Sequence, residues 1–427
     1  MSNVNYQCTV VKLGKVEKHP NADRLQITNI FGNTVIVGLD TKEGDIGLFF
    51  PIESQIGVEF AVANDLIRRK GEDGKPAGGI FSENRRVRCQ KLRGVPSMGF
   101  FCPLHFLKGI PGVETEPKLG DSFNELDGVQ ICTKYVPRTN SKGRAHIPNI
   151  RKKHERYIKD QFKEHHDTEN LFRNIDRVKD GDLLVYTWKL HGTSMRCGNV
   201  LVQRILSPLE RLLRWFGVKI HETEYDFLIG SRTVIKDAKN APNGYYEKDL
   251  WTEVSNSYFK DKLHKGEMIY AEIVGYVPGT QSLIQKGYTY GCEEGKCEVY
   301  VYRITQTNLD GVSIDLSWEA VKQRCLNLSV KHVPEIKQEI HQYMTHEMLE
   351  HHIKSTYLET GCHLQPEMPE EGICLRIEGL QPQILKAKSI RFLELETKQL
   401  DTGEMDLETA EAESSKEQTE QTEQTNG

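Results

Sequence analysis

The sequence predicts an α+β protein: an N-terminal β-barrel, then a mixed-sheet domain, then a disordered acidic tail. Three observations predict it. Short strand-like runs broken by Gly and Pro fill the first third of the chain. Longer apolar strands, each carrying one or two charges, alternate with helical stretches after residue 165. Beyond Lys398, Ala, Glu, Ser, Thr and Gln displace nearly every apolar residue, so that segment cannot bury a core. The boundaries fall at 1–136, a basic linker at 137–164, 165–398 and 399–427.

Composition narrows the class. With 427 residues, 37% hydrophobic and 27% charged, the chain is an ordinary globular protein of more than one domain. No apolar run is long enough to span a bilayer, and the polar start Met1-Ser2-Asn3-Val4-Asn5 is not a signal peptide. An intracellular, soluble protein, cytoplasmic or nuclear, without a membrane partner is expected. The 10 cysteines lack a disulfide-scaffold rhythm, so free thiols are expected. Cys292 and Cys297 have no second pair at zinc-ligand spacing. The net charge of −5 hides an asymmetry: Glu394–Gly427 holds eleven acids and two bases, leaving 54 bases against 50 acids elsewhere. A mildly basic body leaves an anionic partner open.

In the first domain, Cys8–Leu13 opens a strand, Arg24–Thr28 and Thr34–Val37 flank a hairpin at Phe31-Gly32-Asn33, and Asp45–Phe50 adds a strand ended by Pro51. The turn His19-Pro20-Asn21-Ala22-Asp23-Arg24-Leu25 resembles the opening of tRNA-binding OB-fold modules. Arg85–Arg93 alternates basic and other residues. As a strand it would turn Arg86, Arg88 and Lys91 to one side, a surface that could follow a nucleic-acid backbone or be plain solvated charge. From Arg138 to Glu164 nine bases face three acids, a suitable grip on phosphates.

Further on, Ser207–Phe216 carries Leu209, Leu212, Leu213 and Phe216 at helical spacing behind a Ser-Pro cap, which predicts a short helix packed on the core. Strands are expected at Glu267–Gly275, Cys297–Thr305 and Gly372–Ile377, and a helical stretch from about Glu335 to Thr360.

The chemistry concentrates around Lys189. The run Asp182–Trp188 ends in this lysine, and His191-Gly192-Thr193-Ser194 follows as a small-residue turn suited to close phosphate approach. Charges in strand contexts then come in order: Arg232 after Phe227–Gly230, Glu272 within Met268–Gly275, Tyr300 and Tyr302 on one strand, Glu371 before Gly372–Arg376, and Lys386 with Lys388. A charge inside an apolar strand needs a partner or a ligand.

In this order the residues resemble the covalent nucleotidyltransferase superfamily of ATP-dependent polynucleotide ligases and mRNA capping enzymes. That superfamily's ligase-type fold is unrelated to ATP-grasp. The motif Lys189-Leu190-His191-Gly192-Thr193, with histidine where aspartate is commoner, looks more like RNA ligases than DNA ligases. An OB-like module ahead of the transferase, with His166-Asp167-Thr168 before the lysine strand, is similar to the nick-sealing Deinococcus-type RNA ligases. The resemblance implies a catalytic Lys189 that attacks the α-phosphorus of ATP and carries AMP. Lys386, Lys388 and a bound metal would lower its pKa. It implies cofactor contacts from His191, Gly192, Arg232, Glu272, Tyr302, Glu371, Lys386 and Lys388. Glu272 would meet the ribose, Tyr302 would stack on adenine with Tyr300 in reserve, and Glu371 would stand near Mg2+ or Mn2+. The implied partner is RNA, as a nicked duplex or an RNA/DNA hybrid, joined at 3′-hydroxyl and 5′-phosphate ends by a monomer engaged in RNA repair.

Two departures qualify this. No OB-fold has room after Lys388, which weakens DNA-ligase and capping readings, and His191 removes a carboxylate from the motif. A GTP-using capping guanylyltransferase and a non-catalytic RNA-binding protein stay beside the ATP-dependent ligase.

Overall fold

The computed structural model describes residues 4–70, 76–136, 156–165, 167–232, 234–236 and 249–402. Most of the expected basic linker, His166 and the tail beyond 402 lie outside the described residues.

The frame of the site is two β-sheets. One has five strands in the order Glu169–Asn170, Gln383–Lys388, Gly372–Ile377, Leu183–Lys189 and Glu335–Ile340. The other has seven, built on the antiparallel run Ile235–Lys236, Thr223–Ser231, Thr193–Gln203, Glu267–Gly275, Cys297–Thr307 and Ser313–Asp315; Lys331–His332 pairs with Cys297–Thr307 off that path. The Lys189 strand joins the two halves. Val185 enters the core of Trp251, Ile269 and Trp318, while Leu184 and Tyr186 enter the core of Leu349, Ile353 and Leu375. A strand buried on both faces is held rigidly, which fixes the lysine at its end.

Among the described residues six α-helices punctuate the sheets: α1 (Val58–Ala63), α2 (Pro208–Trp215), α3 (Leu250–Tyr258), α4 (Trp318–Leu328), α5 (His346–Ile353) and α6 (Ile390–Asp401). From α2 onward each has a side-chain N-cap, supplied by Ser207, Asp249, Ser317, Thr345 and Ser389.

Three expectations are corrected. Glu335–Ile340 is an edge strand paired antiparallel with Leu183–Thr187, and helix begins only at His346. The alternation in Glu-Ile-Lys-Gln-Glu-Ile suits a half-exposed strand better than a helix. Helix α2 forms with a full capping box, yet none of its residues is buried and Trp215 is 77% exposed. It occupies the connection between Thr193–Gln203 and Thr223–Ser231, beyond the buried part of that hairpin, so its apolar face meets no core. Helix also continues through α6 to Asp401, past the expected tail boundary at 399.

The N-terminal region is β-rich, but its described strands do not close into one barrel. They form a four-stranded sheet (Gly99–Pro103, Ile46–Pro51, Cys8–Lys12, Ser122–Phe123), a three-stranded sheet (Val16–Lys18, Gln26–Ile30, Asn33–Val37) and several hairpins. In the turn His19–Leu25, buried His19 ties itself to the Leu92 carbonyl (3.1 Å) and accepts from the Asn21 N–H (3.0 Å). The basic run after Arg85 is strand only at Gln90–Leu92, and three of its charges pair with carboxylates of the protein. Arg86 is buried and donates to Glu53 at 2.7 and 2.8 Å, Arg88 reaches Asp401 (3.3 Å), and Lys91 pairs with Glu394 (3.0 Å). Charge patterning alone could not distinguish a nucleic-acid surface from a socket for α6.

Candidate active site

A cleft of about 1790 Å³ opens where the two sheets meet, and it gathers Lys189, His191, Gly192, Arg232, Glu272, Tyr302, Glu371, Lys386 and Lys388. Tyr6, Lys134 and Tyr135 of the N-terminal region line the same cleft. Strand pairing brings the distant parts together. Lys189 stands opposite Gly372 and Ser194 opposite Glu272, while Gly372 also pairs with Lys388.

Lys189 Nζ lies 2.7 Å from Glu371 Oε1. Burial works against the charge on Lys189, but Glu371 and then Glu272 outweigh it, and the ammonium keeps its proton above the ordinary lysine range. The expected lowering of this pKa is therefore reversed in the free protein. The cations that were to depress it are outweighed by a carboxylate in direct contact. Lys386 carries the depressed value instead. Burial, then Lys388, Lys189 and Arg232 bring it down to about 8.

Glu371 is 3% exposed, and its Oε2 has no hydrogen-bond partner among the described residues. His191 Nδ1 stands 4.0 Å from that oxygen. His191 packs edge-on against Tyr288 and Phe392, at 5.2 and 4.9 Å between ring centres, and burial lowers its pKa, favouring the neutral ring. Its backbone N–H donates to Tyr290 Oη (2.7 Å).

Glu272 braces the turn. Oε1 accepts from the Gly192 N–H (3.0 Å) and Oε2 from Ser194 Oγ (3.2 Å). Gly192 has no room for a side chain, since a Cβ would lie 2.2 Å from the Ile273 carbonyl oxygen. Gln285 Nε2 completes the clamp by donating to the Gly192 carbonyl (2.7 Å). Arg232 forms an ion pair with Asp167.

The two tyrosines part company. A register shift between Tyr270 and Ala271 pairs them with Arg303 and Val301, so the ladder steps over Tyr302. Tyr302 lines the cleft beside His165 (5.1 Å, edge-on), whereas Tyr300 is buried and lies under Lys331 (5.5 Å). Sequence reasoning missed Gln285 and Tyr290, both in the connection between Glu267–Gly275 and Cys297–Thr307, and Glu396 of α6. Glu396 accepts from Lys388 Nζ at 2.8 Å.

Residues 182–388 match the RNA ligase family. The span starts at the foot of the Lys189 strand and ends on Lys388, and on this match the chain is an enzyme of RNA ligase type. No curated protein sequence matches it. Among solved structures, the ligase chain is similar to a Naegleria gruberi RNA ligase mutant with ATP and Mn: 18% identity, TM-score 0.59, covering 93% of this chain and 99% of that one. The same Naegleria ligase with PPi gives 18% and 0.60 over 92% and 98%. A mutant with AMP and Mn gives 18% and 0.58 over 91% and 98%. At this identity the likeness shows a shared fold.

Proposed function

We propose that the protein is an ATP-dependent RNA ligase that joins 3′-hydroxyl and 5′-phosphate RNA ends, at nicks in duplex RNA or RNA/DNA hybrids. The observation that carries this reading is Lys189, presented at the rim of a buried strand among Glu371, Lys386 and Lys388. Lys189 Nζ, once its ammonium proton has passed to water, attacks the α-phosphorus of ATP, the bond to the bridging α–β oxygen breaks, and pyrophosphate leaves with lysyl-AMP behind. AMP passes to the RNA 5′-phosphate. The 3′-hydroxyl then displaces AMP and the phosphodiester forms.

Each side chain has a part that its position supports. Lys386 and Lys388 meet charge developing on the phosphates in a partly dewatered cleft. Tyr302 offers a ring for adenine, and Arg232 sits where ribose or an incoming 5′-phosphate could reach it. Gly192 lets the turn lie close against the Ile273 backbone, and Glu272 holds that turn, where a ribose would meet it. His191 contributes shape: a neutral ring beside Glu371.

A divalent cation fits the unpartnered Glu371 Oε2. Among the described residues no group of three or more His, Cys, Asp or Glu could hold a metal alone, so phosphates and water would complete the shell of Mg2+ or Mn2+. When bound it supplies positive charge that neutralises phosphate and disfavours the ammonium of Lys189. The solved relatives with ATP and Mn, or AMP and Mn, support this cofactor pair. The β-rich N-terminal region, through Tyr6, Lys134 and Tyr135, would receive RNA as an OB-like module does.

Incubation with ATP or GTP labelled at the α-phosphate tests the reading. Wild type should take label from ATP alone and seal a nicked duplex better than single strands. Label from GTP would move the protein to the capping class, and RNA binding without label would leave a binding protein.

A further inference from the structure

The charges that would make a nucleic-acid surface of the Arg86–Lys91 run are instead spent on α6, and α6 ends at the reaction centre. Its first turn is bolted to the carboxylate strand: the Ser389 N–H donates to the Glu371 carbonyl (2.9 Å), and Ser389 Oγ caps the Phe392 N–H (3.1 Å). Phe392 lies under the Lys388 ammonium (5.1 Å) and against His191 (4.9 Å), and one turn on, Glu396 accepts from Lys388 at 2.8 Å. Burial works against a charge on Glu396, yet Lys388 holds its pKa below the usual glutamate value.

Glu394, Thr397 and Asp401 lie on a different stripe. At ~100° per residue they fall roughly opposite Phe392 and Glu396. All three meet the N-terminal region. Glu394 pairs with Lys91 (3.0 Å), and Thr397 Oγ1 donates to Glu53 Oε1 (3.1 Å). Asp401 takes Arg86 (2.9 Å) and Arg88 (3.3 Å), while Arg86 also holds Glu53. Arg86 and Glu53 are both buried. A half-made network there would leave uncompensated charge, so it favours one docked position.

We infer that α6 transmits the seating of the N-terminal region to the reaction centre, with Glu396 as a positioning residue that fixes the Lys388 ammonium. This rests on the ligase reading and adds to it a dependence of the first step on residues of the N-terminal region that need not touch ATP. Glu396 is eight residues past Lys388 in sequence and reaches back to it only because the chain turns at Ser389 into the helix.

The test uses the full chain. For Glu396→Gln, the rate constant of lysyl-AMP formation at saturating ATP should fall ~10–100-fold with KM for ATP little changed, as for an interaction made in the transition state. Adding Glu396→Gln to Lys388→Ala should cost nothing further; additive losses would mean that Glu396 does not act through Lys388, and would overturn its assignment. Thr397→Val with Asp401→Asn, which leaves Arg86 and Glu53 paired, should slow the same step several-fold. An unchanged rate constant would remove the coupling. Amide exchange of that variant without nucleotide supplies a readout free of chemistry: protection should drop from Phe392 through Asp401. A drop confined to the last turn would overturn the transmission. Should wild type take no label, the ligase reading falls while the exchange measurement still judges the coupling.

Discussion

Lys189 and Glu371 form an ion pair of 2.7 Å at the junction of two sheets, and in the free protein it keeps Lys189, the proposed nucleophile, as an ammonium. The pair also stabilises the fold. A lysine whose pKa is raised on folding contributes stability that is complete below its ordinary value of 10.5 and lost only as pH rises through the higher folded value. The contribution is therefore present across the neutral range. Lys189→Ala should abolish the AMP adduct and leave a buried carboxylate without its cation, at a cost of ~3 kcal/mol. Lys189→Arg should abolish the adduct while keeping most of that stability. Label incorporation and thermal unfolding, measured side by side, check both. Equal Tm values for the Ala variant and wild type would contradict the structural part of this pairing.

Lys386 makes the opposite prediction. Its folded pKa of about 8 lies below the ordinary 10.5, so between those values the unfolded chain binds the extra proton. Stability from this residue therefore rises with pH across that window. Lys386→Met should flatten that rise and raise Tm at neutral pH, because a crowded cation is removed. The same substitution should slow lysyl-AMP formation at least tenfold, about what one lost charge contact to phosphate costs. In wild type, nucleotide affinity should weaken as pH passes 8, because phosphate favours the charged Lys386 and binding must then take up a proton. Calorimetric titration with ATP between neutral and alkaline pH checks this, and an affinity unchanged across that range would remove Lys386 from the phosphate contacts.

Gly192 is a steric requirement. A Cβ at this position would meet the Ile273 carbonyl, Glu272 Cγ and Val274 Cγ1, all within 2.9 Å. The nearest of these, at 2.2 Å, is a backbone oxygen that no rotamer can move. Gly192→Ala should displace the turn from Glu272, lower Tm by several degrees and remove the adduct even though Lys189 is intact. Normal adduct formation in this variant would show that the turn's position is unimportant to the chemistry.

What the sequence disclosed, and what it hid, follows from physical range. Lys189, Glu272, Glu371, Lys386 and Lys388 stood out because a charge in an apolar strand is anomalous on local grounds, and strand pairing then gathered them. Protonation was not local. The Glu371 carboxylate that reverses the expected pKa of Lys189 comes from a strand far along the chain. Surface and interface were not separable either. Arg86, Arg88 and Lys91 read as a possible nucleic-acid face until α6, some 300 residues later, supplied their partners. Helix α2 shows the reverse error. Its apolar spacing and Ser207 cap predicted the helix correctly, but periodicity does not say whether a core lies opposite, and Trp215 stands in solvent.

The tyrosines of the Cys297–Thr307 strand give the last separable pair. Alternation puts Tyr300 and Tyr302 on one face, and only the register shift opposite them breaks the equivalence. Tyr302 is left at the cleft wall, while Tyr300 belongs to the core of Val299, Val301 and Ile304. Tyr302→Ala should therefore raise KM for ATP by roughly tenfold, the loss of one stacking contact worth ~1–3 kcal/mol, with little change in Tm. Tyr302→Phe should keep the ring and most of the affinity. Tyr300→Ala should lower Tm by removing a buried aromatic, a loss of ~3–5 kcal/mol on the scale of core truncations, with KM little changed in the fraction that remains folded. Thermal unfolding with ATP titration of the three variants reads both effects. A larger rise in KM for Tyr300→Ala than for Tyr302→Ala would exchange their roles.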